Sequence, residues 1–193
     1  TCLDENLFYL IGTPRGERHD FDILEKALPL DGSVKLFNVT LERGGFTVVG
    51  PNSRKVLENL VETDLTNEDF PWMSAKSVTV GLASDVRLMR VNYEGELGWE
   101  LYHPITYNLH LFEEISKAGK AYGLKHCGYR AIESLRLEKS YRAIYKDIDV
   151  EHTALESGLD RFVKFDKEEF VGCRALTRQK EQVELLSLIH ISE

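Results

Sequence analysis

The chain has 193 residues, 42% of them hydrophobic and 29% charged, enough apolar side chain to form a sizeable core and too much for wholesale disorder. Lysine plus arginine number 24 against 32 acidic residues, a formal charge of -8, and with no dense basic run nucleic acid and anionic membrane surfaces are poor partners. The longest apolar stretches, such as Leu185–Ile191, fall far short of the ~20 residues a bilayer span needs, so no transmembrane helix fits.

Asn6–Ile11 is rich in aromatic and branched residues and predicts a strand. From Pro14 to Leu30, Phe21, Leu24 and Leu28 recur at helical spacing among charges, and Pro29 with Asp31–Gly32 ends the pattern. Val34–Thr40 and Gly45–Gly50 predict two short strands joined at Arg43–Gly44 as a hairpin. Gly50–Pro51 then turns into a helix with Val56, Leu57, Leu60 and Val61 on its apolar face. Ser77–Val80 and Val86–Asn92 alternate as strands, Gly95–Gly98 is a turn, and Trp99–Tyr102 returns as the partner strand.

Ile105–Tyr122 is the best helix in the sequence, with Leu109, Phe112, Ile115 and Ala118 as its stripe and Gly123 as its stop. Cys127–Tyr145 predicts another helix, Phe162–Phe165 a short strand, and Arg174–Leu185 a polar helix. This order of strands and helices with hairpin-length turns predicts an α+β fold of antiparallel sheet and packed helices. Cys2, Cys127 and Cys173 are odd in number and far apart, so neither a disulfide framework nor a CxxC knuckle is available. No HExxH, histidine pair at i, i+4, GxSxG elbow or glycine-rich phosphate loop occurs. No metal is expected.

Two segments carry chemistry. Arg90–Tyr102 sets three carboxylates and several aromatics around a two-glycine turn, where Tyr93 and Glu100 could meet across paired strands. On pattern alone Glu94 and Glu96 read as solvated turn residues and Trp99 as core. Cys127–Tyr141 as a helix brings Glu133 within i, i+3 reach of Arg130 and of Arg136, a pattern that an exposed helix laced with ion pairs also produces.

Taken in order, Gly50–Arg54, Tyr93–Glu100, Arg130–Lys139, and Ala154–Leu159 with Phe170–Gly172 resemble the tetrahydrofolate-binding aminomethyltransferase family, which includes the glycine-cleavage T-protein. Tyr93–Tyr102 and Ser134–Arg142 are most similar in wording to the folate domains of dimethylglycine and sarcosine dehydrogenases. The resemblance spans Asn6 to Leu176 and implies a folate-binding aminomethyltransferase-like fold, cut at both ends, over residues 1–185. Residues 186–193 resemble a translated sequencing-adapter tail and are expected to be non-native.

The resemblance implies transfer of a methylene group from a methylated amine of dimethylglycine or sarcosine type to tetrahydrofolate, giving 5,10-methylenetetrahydrofolate. Glu100 would accept the paired N–H donors of the pterin, Tyr93 would pack against or hydrogen-bond it, and Arg130 would meet the folate's polar edge or glutamyl tail. Glu96 and Arg136 would shape the turn and brace the helix. The family's catalytic aspartate is expected upstream of Thr1, and Asp4 falls after its position, in a turn. FAD would belong only to an upstream domain, so this polypeptide alone is expected to be catalytically incomplete. The partners implied are the amine and the folate, in the mitochondrial matrix or bacterial cytoplasm, and no signal sets the oligomeric state. The alternatives are a stand-alone T-protein or another folate-dependent demethylase, and a folate-binding relative without transferase activity.

Overall fold

In the computed structural model, residues 1–167 and 169–180 are described. The chain divides into two units, Thr1–Lys139 and Ser140–Glu193.

The first unit is built on an antiparallel sheet of four strands, β3 (Arg43–Val49), β4 (Ala75–Val80), β5 (Ala83–Met89) and β6 (Gly98–Pro104), in the order β3-β6-β5-β4. Before it come the small ladder of β1 (Cys2–Asp4) and β2 (Leu7–Phe8) and the helix α1 (Glu17–Lys26). Two-residue periodicity gives the sheet its faces. Val48, Val86, Leu88, Trp99 and Leu101 are buried on the face toward the helices α2 (Ser53–Glu58) and α3 (Asn108–Gly119). There Phe70 meets Trp99 edge to face at 5.0 Å between centroids, an arrangement that adds to the area both rings bury. The opposite face carries two cross-strand rows, Thr47, Glu100, Met89, Ala75 and Gly45, Tyr102, Arg87, Ser77.

The α+β antiparallel architecture expected from the element order is what forms, with local differences. The strand expected over Asn6–Ile11 is short, β2 at Leu7–Phe8 with Tyr9 hydrogen-bonded to Thr1 beyond it, and Asp4 ends β1 instead of standing in a turn. The first helix spans Glu17–Lys26 rather than Pro14–Leu30. Val34–Thr40 forms no strand. The hairpin expected there does not form: β3 begins at Arg43, inside the expected turn, and its partner is β6.

Helix α3 with its flanking 3₁₀ turns covers Ile105–Tyr122, and Gly123 ends it at φ 71°, the left-handed stop that glycine accommodates. Its buried stripe is Leu111, Ile115 and Gly119, whereas Leu109 is 68% exposed. The next helix, α4, runs Tyr129–Glu138 and stops short of the expected Tyr145, for Ser140 takes a left-handed φ of 58°.

In the second unit, Thr153 and Glu156 form a reciprocal capping arrangement: the Thr153 N–H donates to Glu156 Oε2 at 2.8 Å and the Glu156 N–H to Thr153 Oγ1 at 3.3 Å. Phe162–Phe165 is not a strand, and a 3₁₀ turn occupies Asp160–Phe162. Helix α5 is Cys173–Lys180. The remainder of the helix expected to Leu185, and the tail expected over 186–193, lie outside the described residues.

Candidate functional site

Glu100 sits in the middle of β6, opposite Thr47 on one side and Met89 on the other, on the sheet face away from the helices. Strand alternation places Tyr102 beside it, and the Tyr102 hydroxyl donates a hydrogen bond to Glu100 Oε2 at 2.8 Å. Among the described residues the second oxygen of Glu100 accepts no hydrogen bond. Burial, and after it the Glu100 charge, raises the Tyr102 phenol above its ordinary pKa of 10. A proton therefore stays on Tyr102, and Glu100 is held as an acceptor.

The amino-terminal ladder approaches the same face. Tyr9 meets Tyr102 edge to face at 5.7 Å, the Arg87 guanidinium lies 4.6 Å from the centre of the Tyr9 ring, and the Thr1 hydroxyl donates to Met89 Sδ at 3.6 Å. A half-buried carboxylate with one oxygen committed and aromatic rings alongside can grip a flat heterocycle that presents N–H donors.

The other residues singled out in the sequence divide. Tyr93 is half-buried and lies beyond the end of β5, outside the β5–β6 register, so Tyr93 and Glu100 are not cross-strand neighbours. Its backbone N–H donates to Glu94 Oε2 at 3.0 Å. Arg130 is exposed on the first turn of α4, and no hydrogen bond or ion pair joins it to Glu100. Arg136 is 3% exposed and meets Glu133 through two contacts of 3.1 Å, Nε to Oε1 and Nη2 to Oε2. The bidentate pair braces α4 at its one buried residue, while most of the helix is exposed, as its ion-pair pattern also allowed.

Glu96 is exposed, as its turn position predicts, but Glu94 is only 4% exposed, which corrects its reading as a solvated turn residue. Trp99 is core, with no exposed surface. Sequence reasoning missed Tyr9 and Tyr102. The i, i+2 spacing of Glu100 and Tyr102 on a predicted strand was the available signal for the second; nothing local marks the first.

The family model described as the GCVT N-terminal domain matches residues 1–167. Among curated proteins, the mitochondrial pyruvate dehydrogenase phosphatase regulatory subunit of Mus musculus is 34% identical over 180 residues, 93% of this chain and 20% of that protein. The mitochondrial dimethylglycine dehydrogenase of Rattus norvegicus is 38% identical over 177 residues, 90% of this chain and 20% of its own length. An aminomethyltransferase of Thermoanaerobacter pseudethanolicus is 36% identical over 149 residues, covering 77% of this chain and 40% of the relative. Among solved structures, the glycine cleavage system aminomethyltransferase T from Bartonella henselae superposes with a TM-score of 0.70 at 24% identity, over 86% of this chain and 44% of that one. At that identity the likeness bears on the fold, which is the same. The chain thus spans about a fifth of the length of its mitochondrial relatives.

Proposed function

The chain belongs to the GCVT N-terminal domain family, and from that premise we propose that it is part of a folate-dependent one-carbon-transfer enzyme. The reaction we assign is transfer of a methylene group from a methylated amine of dimethylglycine or sarcosine type to tetrahydrofolate, giving 5,10-methylenetetrahydrofolate. Mitochondrial and bacterial proteins are both among the relatives, and the mitochondrial matrix or the bacterial cytoplasm is the compartment we assign. Among the described residues no helix is long and apolar enough to cross a membrane.

The observation that carries this reading is the Glu100 carboxylate, oriented by Tyr102 and lying on the sheet face that Tyr9 also approaches. Tetrahydrofolate, when bound, supplies the nucleophilic nitrogen that takes up the one-carbon unit. The residues present fit such a group: Glu100 offers a free oxygen to paired N–H donors, and Tyr9 and Tyr102 offer ring edges and faces for a pterin to pack on. Tyr93, half-buried beside the same turn, is assigned to packing against the pterin, and Arg130, exposed on α4, to the anionic glutamyl end. No carboxylate of this chain is assigned the catalytic role. The protein's contribution here is binding and orientation, which lowers the barrier by fixing the partners in place. A flavin domain elsewhere in the full protein would generate the amine's oxidised form.

Titration of the chain with 5-formyltetrahydrofolate, followed by calorimetry, tests the assignment. Glu100→Gln removes the charge from a charge-assisted contact, and affinity is expected to fall roughly tenfold or more. Equal affinity of the variant and the parent chain removes Glu100 from the site. The match to a phosphatase regulatory subunit favours a second reading, in which the fold is kept without transferase activity. Folate binding by the chain, with no methylene transfer by the full-length protein supplied with its amine, is the outcome that selects it.

A further inference from the structure

A cavity of about 560 Å3 lies beside β3, on the helix side of the sheet, walled by residues of α2, α3 and the segment leading into α4. That size is ordinary for a small-molecule site. Phe46, Phe112, Ile115 and Leu124 give it apolar and aromatic surface, and His126 stacks on Phe112 at 5.1 Å. Into this lining the turn after β5 contributes Glu94, 96% withdrawn from solvent by its 4% exposure.

Glu94 is poorly compensated where it stands. Its Oε2 accepts the Tyr93 N–H, and among the described residues its Oε1 accepts nothing and no cation pairs with it. A carboxylate withdrawn from water costs free energy unless hydrogen bonds or an opposite charge replace the lost hydration. The cavity is the direction from which that replacement can come. A carboxylate and aromatic rings lining one cavity suit an ammonium group, which draws on both the charge and the ring quadrupoles.

We propose that this cavity binds a small primary or methylated amine carried on an apolar body, with the ammonium against Glu94 and the body against Phe112 and Leu124. Glu94, unlike Glu100, has no part in the folate reading: Phe46, the aromatic that β3 gives the wall, points to the inner face of the sheet, whereas Glu100 is on the outer face.

The test uses the full chain and three probes: phenethylamine, N-methylphenethylamine and phenylacetate, each followed by calorimetry and by thermal shift. Saturable binding of the two amines but not of phenylacetate is expected. Glu94→Gln keeps an acceptor for the Tyr93 N–H while removing the charge, so amine affinity is expected to fall roughly tenfold or more, with affinity for 5-formyltetrahydrofolate unchanged. Ser116→Phe, which fills the cavity from α3 without touching the carboxylate, is expected to abolish amine binding as well. Equal binding of phenylacetate, undiminished amine binding by either folded variant, or no saturable amine binding by the parent chain overturns the proposal. None of these outcomes depends on whether folate binds.

Discussion

Tyr102 donates its proton's hydrogen bond to Glu100 while burial and that same charge keep the phenol from ionising. Because its folded pKa lies above the unfolded value of 10, Tyr102 contributes stability fully below pH 10 and loses that contribution as pH rises through the folded pKa. Urea midpoints measured from pH 8 to pH 11 are expected to fall more steeply for the parent chain than for Tyr102→Phe; parallel curves would remove Tyr102 as the source. Gly98 faces a harder constraint. A Cβ built on it would stand 2.6 Å from Asn92 Cβ and 2.9 Å from Val49 Cγ1, and Gly98 is buried at the start of β6. Gly98→Ala is expected to destabilise the chain by about 1–3 kcal/mol, read from the urea midpoint. Single residues were unevenly legible. Glu100 stood out because its motif is specific, but a glycine-flanked acidic turn gives no hint that Glu94 would be folded under while Glu96, two residues on, stays in water.

Helix α3 shows how an element can be right in extent and half right in facing. Its sequence offers two apolar stripes that share the buried Ile115, the expected one through Leu109, Phe112 and Ala118 and another through Leu111. Periodicity finds the helix and cannot choose between the stripes, because the choice belongs to the sheet it packs on. The sheet takes Leu111, which has no exposed surface, and leaves Leu109 68% exposed. Leu111→Ala is therefore expected to cost about 2–5 kcal/mol and Leu109→Ala less than about 0.5 kcal/mol. Comparable losses in denaturation would restore the other stripe. The Val34–Thr40 segment failed for a different reason: it alternates like a strand, but the residues expected to turn it back, Arg43 and Gly44, are themselves the first residues of β3. Strands β4, β5 and β6 were legible because their own hairpin turns pair them in sequence order.

Across the whole molecule, the burial is concentrated. Every residue of the main hydrophobic cluster falls between Val48 and Ile115, inside the unit Thr1–Lys139. By contrast Leu7, Phe8, Leu10, Ile11, Leu30, Phe37 and Leu41 are each at least half exposed, in a chain that spans a fifth of its mitochondrial relatives. Exposed apolar side chains in that density commonly mark surface that another segment or protein covers. The family motifs made the overall architecture legible, whereas that exposure was not, since hydrophobicity in sequence is silent on what covers it. The concentration of the core leads to a test at this scale. A chain ending at Lys139 retains all the cluster residues and the four-stranded sheet, so it is expected to unfold cooperatively in urea with the near-ultraviolet signal of Trp99 intact. A broad, non-cooperative transition would mean that the core of the first unit draws on residues from Ser140 onward.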